Sequence, residues 1–325
     1  MKAKGWGVLG AVAWIVLGLA TRAQTARPGY VVYETDFEPT SGYDPRYVLG
    51  APNNQGQNGW VAEGTGGNGL LTSFPGYGQQ AYVGLYPPLD TNSFTTVWRP
   101  LGMSPVSADQ PVVKFSALMQ IVPSTTGGQD DFRWSVYTTN GVRLFSLDFE
   151  GASGLISYIL DDGQFISTDY TISYEPEGAY DLEIWMNLAR NRWTALLNGE
   201  VLESGLRMTT TGTPLSIGDV DAVWAVVNTA APGNNYMAFD NYRVSVEPEI
   251  SIPPIFKTHA MQSDHVFRFD FYGEPGLNYE IDITEDFVTW TSLGTFGVEE
   301  FGWFPFEDPE SAQFPTGYYR ARQVP

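Results

Sequence analysis

Apolar and polar residues alternate at period two over long stretches of this chain. Val113, Phe115, Ala117, Met119 and Ile121 fall on one face of an extended segment, with Lys114, Ser116 and Gln120 on the other. Tyr180, Leu182, Ile184, Met186 and Leu188 repeat the pattern opposite Asp181, Glu183, Trp185 and Asn187. Successive side chains of a strand point to opposite sides of a sheet, so each stretch predicts a strand with one buried and one polar face. Further strands are expected over 131–139, 142–150, 154–160, 192–198, 222–228 and 237–246. Asn140-Gly141 predicts a tight hairpin turn because both residues tolerate positive φ. Asp162-Gly163 and Asn198-Gly199 punctuate the chain in the same way. Residues 42–80, rich in Gly, Asn and Gln, are expected to form long loops over one end or edge of the fold. Many short strands without a long amphipathic helix predict an all-β, two-sheet sandwich.

Composition narrows the setting. Lys2 and Lys4, the apolar run Val8 to Ala20, and small residues at Ala20 and Ala23 have the order of a secretory leader. The run is too short for a comfortable membrane span. An exported protein, periplasmic, extracellular or surface-bound, is therefore expected, with cleavage after Ala20 or Ala23. The whole chain carries 17 basic and 37 acidic residues. Removing 1–23 takes Lys2, Lys4 and Arg22, which leaves 14 basic residues and a net charge of −23. Phosphate backbones and anionic membranes would repel such a chain, so nucleic acid and membrane insertion are not expected. With no cysteine there are no disulfides, thiol nucleophile or cysteine metal site. Roughly 300 residues suffice for a large core without staples. Glu247-Pro248-Glu249-Ile250-Ser251-Ile252-Pro253-Pro254 reads as a linker, since proline lacks a backbone donor and interrupts a sheet. The expected organisation is a leader over 1–23, a large β domain over 28–247, a linker over 248–254 and a small β domain over 255–325.

Two segments near the ends of the large domain carry a resemblance. Thr35-Asp36-Phe37-Glu38 is followed by Asn58-Gly59-Trp60, and the region closes with Tyr236-Met237-Ala238-Phe239-Asp240-Asn241-Tyr242-Arg243-Val244. The pair resembles the opening and closing strands of concanavalin A-like (LamG-like) jelly rolls in bacterial exoproteins. That resemblance implies a jelly-roll sandwich with its first and last strands adjacent, and glycan or surface binding as a broad habit. It also implies a structural calcium between those strands. Hard Ca²⁺ takes six to eight oxygen ligands, and Asp36, Glu38 and Asp240 are the candidates. The alternative is that these carboxylates pair with Arg243 or cap turns. The small domain contains Tyr279-Glu280-Ile281-Asp282-Ile283-Thr284, Phe287, Trp290 and Tyr318-Tyr319-Arg320-Ala321. It resembles a C-terminal module of secreted bacterial proteins, with Phe287 in place of the usual leucine.

Catalytic signatures are sparse. Glu280-Ile281-Asp282-Ile283-Thr284-Glu285 resembles the paired-carboxylate motif of jelly-roll glycoside hydrolases. It lies in the small domain, where a solvated strand face is the simpler reading. Gln120-Ile121-Val122 lacks the histidine of the Gln-Ile-His strand in jelly-roll polysaccharide lyases. Both histidines, His259 and His265, follow the linker without metal-ligand company. There is no Gly-x-Ser-x-Gly elbow, P-loop or dinucleotide fingerprint.

The strongest binding clue in the sequence is Trp185, on the polar face of its strand between Glu183 and Asn187. Aromatic rings stack on the apolar faces of sugars, and neighbouring amides and carboxylates hold hydroxyls. Gln120, Arg133 and Tyr137 fall on the more polar faces of other strands and would join Trp185 on one surface if those strands were neighbours. The opposing reading places Trp185 beneath the Gly/Asn-rich loops. Trp60, Trp134, Trp193 and Trp224 read as core, as do Trp290 and Trp303 in the small domain. The expected function is non-catalytic binding of a polysaccharide or cell-surface glycan. A polysaccharide-degrading enzyme and a structural or adhesive envelope protein are the alternatives.

Overall fold

The computed structural model describes residues 28–325, except 75–76, 90–92, 104, 127, 174–177, 249–253, 262–265, 275, 300–301, 314–315 and 325. The leader, most of the linker and His265 therefore lie outside the described residues, as does the side chain of His259. The chain divides into two compact units. The larger comprises 26–203 and 207–251, and the smaller consists mainly of 252–325.

The larger unit is built mainly from strands, with short 3-10 turns at Pro39–Ser41, Pro52–Asn54 and Gln57–Gly59. In chain order these are β1 (Tyr30–Thr35), β2 (Val61–Glu63), β3 (Asn68–Phe74), β4 (Gly78–Gly84) and β5 (Phe94–Trp98). Then come β6 (Val112–Val122), β7 (Asp131–Tyr137), β8 (Arg143–Phe149), β9 (Leu155–Leu160) and β10 (Phe165–Thr171). The last five are β11 (Tyr180–Asn187), β12 (Arg192–Leu197), β13 (Glu200–Leu206), β14 (Asp219–Ala225) and β15 (Tyr236–Glu247). They form two antiparallel sheets. One has eight strands in the order β13-β12-β11-β6-β15-β4-β3, with β1 also on β15; the other has seven, in the order β10-β9-β8-β7-β14-β5-β2. First and last strands are adjacent, with Tyr30 opposite Val246 and Thr35 opposite Tyr242. This is the all-β sandwich that the alternation predicts. The 42–80 segment departs from expectation. It supplies β2, β3 and the start of β4, because its glycines tolerate close backbone approach as well as loop conformations.

The core lies between the sheets. Val113, Phe115, Ala117, Met119 and Ile121 of β6 are all buried, as are Leu182, Ile184 and Met186 of β11. From the other sheet come Phe132, Trp134 and Val136 of β7 and Val220, Ala222 and Trp224 of β14. Trp60, Trp134, Trp193 and Trp224 are at most 1 % exposed, as the sequence predicts. Trp134 sits 4.9 Å from Phe115 and 5.3 Å from Phe239 between ring centroids. Trp60 packs edge-on to Tyr242 at 5.1 Å and donates its indole N–H to the Tyr43 hydroxyl at 3.0 Å. A bulge between Asp240 and Arg243, with Asn241 at φ 50°, shifts the alternation of β15 so that both Phe239 and Tyr242 face inward. The buried Tyr242 hydroxyl donates to the Val220 carbonyl at 3.0 Å and ties one sheet to the other.

The smaller unit has β16 (Ile255–Met261), β17 (Phe267–Tyr272), β18 (Asn278–Thr284), β19 (Thr291–Gly297), β20 (Trp303–Asp308) and β21 (Tyr318–Val324). They form two three-stranded sheets, β16-β17-β20 and β19-β18-β21. Phe267, Phe269, Phe271, Tyr279, Ile281, Ile283, Phe306 and Tyr319 make its core. Trp303 is 42 % exposed, so it is not the core residue that the sequence suggests. Trp290 carries the Arg320 guanidinium 4.0 Å above its ring.

Tyr242→Phe keeps the ring and removes only the bond between the sheets. It is expected to cost about 1–3 kcal/mol by leaving a buried carbonyl without that donor. Urea unfolding followed by tryptophan fluorescence measures this; an unchanged midpoint would show that the bond does not stabilise the fold.

Candidate ligand-binding cleft

Strand alternation places polar residues on the outer face of the seven-stranded sheet. Because Val220, Ala222 and Trp224 point into the core, Asp219, Asp221 and Val223 point the other way. On β7, Arg133, Ser135 and Tyr137 alternate with the buried Phe132, Trp134 and Val136. The register sets Tyr137 beside Asp219, Ser135 beside Asp221 and Arg133 beside Val223. On the other flank Thr96 stands opposite both Val223 and Glu63. These residues, with Phe94, Trp98 and Arg143, line a cleft of about 670 Å³.

The floor is acidic and poorly solvated. Asp221 is 5 % exposed. Its Oδ2 accepts from the Thr96 hydroxyl at 2.9 Å, whereas its Oδ1 has no hydrogen-bond donor among the described residues. Burial raises its pKa well above the ordinary carboxylate value, and Asp219 next to it and Glu63 add to the effect. Asp219 is also raised, chiefly by burial. Asp148, behind Arg133 on β8, is pushed up to about 6 by burial even though the guanidinium pulls the other way. Arg133 Nε is bound to Asp148 Oδ1, while Asp148 Oδ2 has no donor among the described residues. Arg143 donates to the Leu160 carbonyl at 3.0 Å. Phe94, 37 % exposed, and the half-buried Trp98 supply apolar wall.

The residues singled out in the sequence do not share one surface. Gln120, Glu183, Trp185 and Asn187 lie on β6 and β11 of the eight-stranded sheet, and Arg133 and Tyr137 on β7 of the seven-stranded sheet. Trp185 is 9 % exposed. The Lys114 ammonium sits 4.3 Å from its ring centroid, and its indole N–H donates to Glu183 Oε2 at 2.9 Å. Lys114 also pairs with Glu183 Oε1 at 2.6 Å. The ring is thus engaged by its own neighbours. Gln120 and Asn187 are 3 % and 1 % exposed, and Asn187 Oδ1 accepts from Arg190 N at 3.1 Å. Only Arg133 and Tyr137 of the six enter the cleft. Asp219, Asp221, Glu63, Phe94 and Trp98 were missed. The usable signal was Asp219-Val220-Asp221-Ala222-Val223-Trp224, whose alternation marks a strand beginning three residues before the predicted 222.

The expected calcium ligands are neighbours without forming a cage. β1 ends at Thr35, and the chain turns at Phe37 (φ 54°), so Asp36 and Glu38 lie beyond the strand. Asp36 Oδ1 caps the turn by accepting from the Ser41 hydroxyl at 2.6 Å and from Glu38 N at 3.1 Å. Glu38 Oε1 accepts from Gln79 N at 2.9 Å, and Asp240 Oδ1 from Asn241 N at 2.7 Å. Arg243 pairs with Glu34 instead. Asp240 is pushed up to about 6 by burial and by the charges of Asp36 and Glu38. Among the described residues no three acidic or histidine side chains are placed to hold a metal ion.

The hydrolase-like carboxylates of the smaller unit are held by arginines. Asp282 is 2 % exposed and pairs with Arg320 at 2.8 Å and Arg322 at 3.3 Å. Glu280 pairs with Arg322. This face is a charge ladder between β18 and β21, more buried than the solvated strand expected.

No protein-family model matches the chain, and no curated protein sequence does. Solved structures resemble it at low identity. A conserved carbohydrate esterase from Shiga toxin-encoding bacteriophage phi24B is 12 % identical, with a TM-score of 0.43 over 67 % of this chain and 99 % of its own. The CBM2 module of Lactobacillus casei BL23 phage J-1 evolved Dit is also 12 % identical, with a TM-score of 0.43 over 68 % and 98 %. A Bacillus subtilis protein of unknown function with a galectin-like fold is 8 % identical, with a TM-score of 0.40 over 68 % and 99 %. The alignment with a sialidase spans only 16 % of that protein's length. What the cleft can bind is argued below from its own residues.

Asp240 supplies a linkage test. Its folded pKa lies above the ordinary 3.8, so its favourable contribution is complete below that value and is lost as pH rises through about 6. Asp240→Asn is therefore expected to raise the melting temperature at pH 7.5 in chelator, with the two proteins converging as pH falls toward 3.8. Millimolar calcium that raised the melting temperature of the wild type and not of the variant would instead assign a cation to these carboxylates.

Proposed function

We propose that the larger unit binds a carbohydrate in the cleft on the outer face of its seven-stranded sheet, and that the protein acts there without catalysis. The observation that carries this reading is the combination of Trp98 and Phe94 with the polar groups of Arg133, Ser135, Thr96, Asp219 and Asp221 in one cleft of about 670 Å³. Binding sites of this kind pair apolar surface with a few polar groups that fix orientation. Flat rings suit the C–H faces of a pyranose, while carboxylates and guanidinium groups suit its hydroxyls. Strands hold these groups, so the cleft is formed before a ligand arrives. Export through the leader over 1–23 belongs to the same reading and would bring the cleft to extracellular or envelope glycans. Among the described residues no helix is long and apolar enough to cross a membrane.

The test is a glycan and polysaccharide array on the exported chain, followed by titration of the best ligand. Trp98→Ala is expected to weaken binding at least tenfold, or about 1.4 kcal/mol. Trp185→Ala, on the other sheet, is expected to leave affinity within a factor of about two. The opposite ranking would move the site to the eight-stranded sheet. Absence of binding to any glycan would favour a structural role.

A further inference from the structure

The cleft's charge arrangement narrows its ligand, on the premise that it binds carbohydrate. Among the described residues three carboxylates line it, those of Glu63, Asp219 and Asp221. Of its two guanidinium groups, Arg133 is already paired with Asp148 and Arg143 already donates to a backbone carbonyl. The deepest carboxyl, Asp221, is 5 % exposed; Thr96 donates to one oxygen, and the other has no hydrogen-bond donor among the described residues except a proton shared with the neighbouring Asp219 carboxyl, so the pair is left without a cation. A buried carboxylate needs a donor or a cation to offset its lost hydration. An anionic sugar would add a like charge beside Asp219 and Asp221, and a neutral hydroxyl would provide a donor without a compensating charge. A protonated amine provides both, and the aromatic wall of Phe94 and Trp98 also attracts a cation.

We propose that the cleft is selective for a carbohydrate bearing a free, protonated amino group, a deacetylated hexosamine polymer, with the ammonium on Asp221 and Asp219 and a sugar ring against Trp98. An N-acetyl group would remove the charge and add an acyl group where the ammonium approaches. Discrimination against acetylated chains is thus built into the same contacts. Affinity depends on the ionisation of the Asp219–Asp221 pair, which burial and mutual repulsion oppose and a bound ammonium favours; Asp221 faces Asp219 on its own strand, Glu63 on β2 and Tyr137 on β7, with the buried Tyr242 behind it.

The experiment is calorimetric titration of the full exported chain at pH 6 and 150 mM salt. The probes are β-1,4-linked hexamers of glucosamine, N-acetylglucosamine and glucose, and a uronic acid oligomer. The glucosamine hexamer is expected to bind at least tenfold more tightly than the other three. Asp221→Asn keeps the shape and the Thr96 contact, and is expected to abolish that preference without lowering the melting temperature. Glu285→Gln removes the same charge in the smaller unit and is expected to change nothing, which separates the site from general attraction of a polycation to an acidic protein. Equal affinity for glucose and glucosamine hexamers would overturn the inference while leaving a carbohydrate cleft. So would an unaltered preference in Asp221→Asn, or an equal loss in Glu285→Gln. Failure of all four probes to bind would sink the amine selectivity, and a glycan array then decides whether the carbohydrate reading falls with it.

Discussion

The hydrogen bond from Tyr242 to the Val220 carbonyl joins the two sheets at the point on which the cleft depends. Tyr242 reaches it because the bulge after Asp240 turns the ring inward, where Trp60, Phe115 and Trp134 surround it. Val220 lies between Asp219 and Asp221. Fixing its carbonyl from the core side fixes the strand whose opposite face carries both carboxylates. The aromatic core and the floor of the cleft are two sides of one strand, and a disturbance of the first displaces the second.

An acidic chain must dispose of its carboxylates, and this one does so in three ways. Some are satisfied by backbone and hydroxyl donors. Asp130 accepts from Val227 N and Gly233 N and closes the loop before β15. Burial opposes ionisation of Asp161, but the hydroxyls of Thr209 and Thr211 and the groups of Thr210 outweigh it and hold the carboxyl well below its ordinary range. Others, such as Asp282, are covered by arginines. A third set, Asp221, Asp148 and Asp240, is buried with raised pKa values. The first two arrangements stabilise loops and sheet faces. The third costs stability at neutral pH, and of these Asp221 lies at the floor of the cleft beside Asp219.

Much of the architecture was legible in local pattern. β6, β7, β8, β9, β11, β12 and β15 follow from alternation, because a half-buried strand requires period two. Gly141, Gly163 and Gly199 take the positive φ expected of their turns, although of the residues before them only Asn198 does so. Strands with few apolar residues were hidden. β2 has three residues, and β3 and β4 lie in a segment whose Gly and Gln content reads as loop. Both ambiguities arise because hydrogen bonding to a neighbour, rather than the side chains themselves, makes these segments strands.

The sequence by itself determined the class of fold, the burial of Trp60, Trp134, Trp193 and Trp224 and the adjacency of first and last strands, since burial pattern and a fold-level resemblance are carried by local residues. Tertiary structure decided the site. Trp185 and Tyr137 have equally polar settings in the sequence, yet strand order sends them to different sheets, and β7 meets β14 across some eighty residues of chain. Pairing across that distance brings Tyr137 to Asp219 and Ser135 to Asp221. Alternation specifies which face of its own strand a side chain occupies, but only the order of strands within the sheets determines which other side chains share that face.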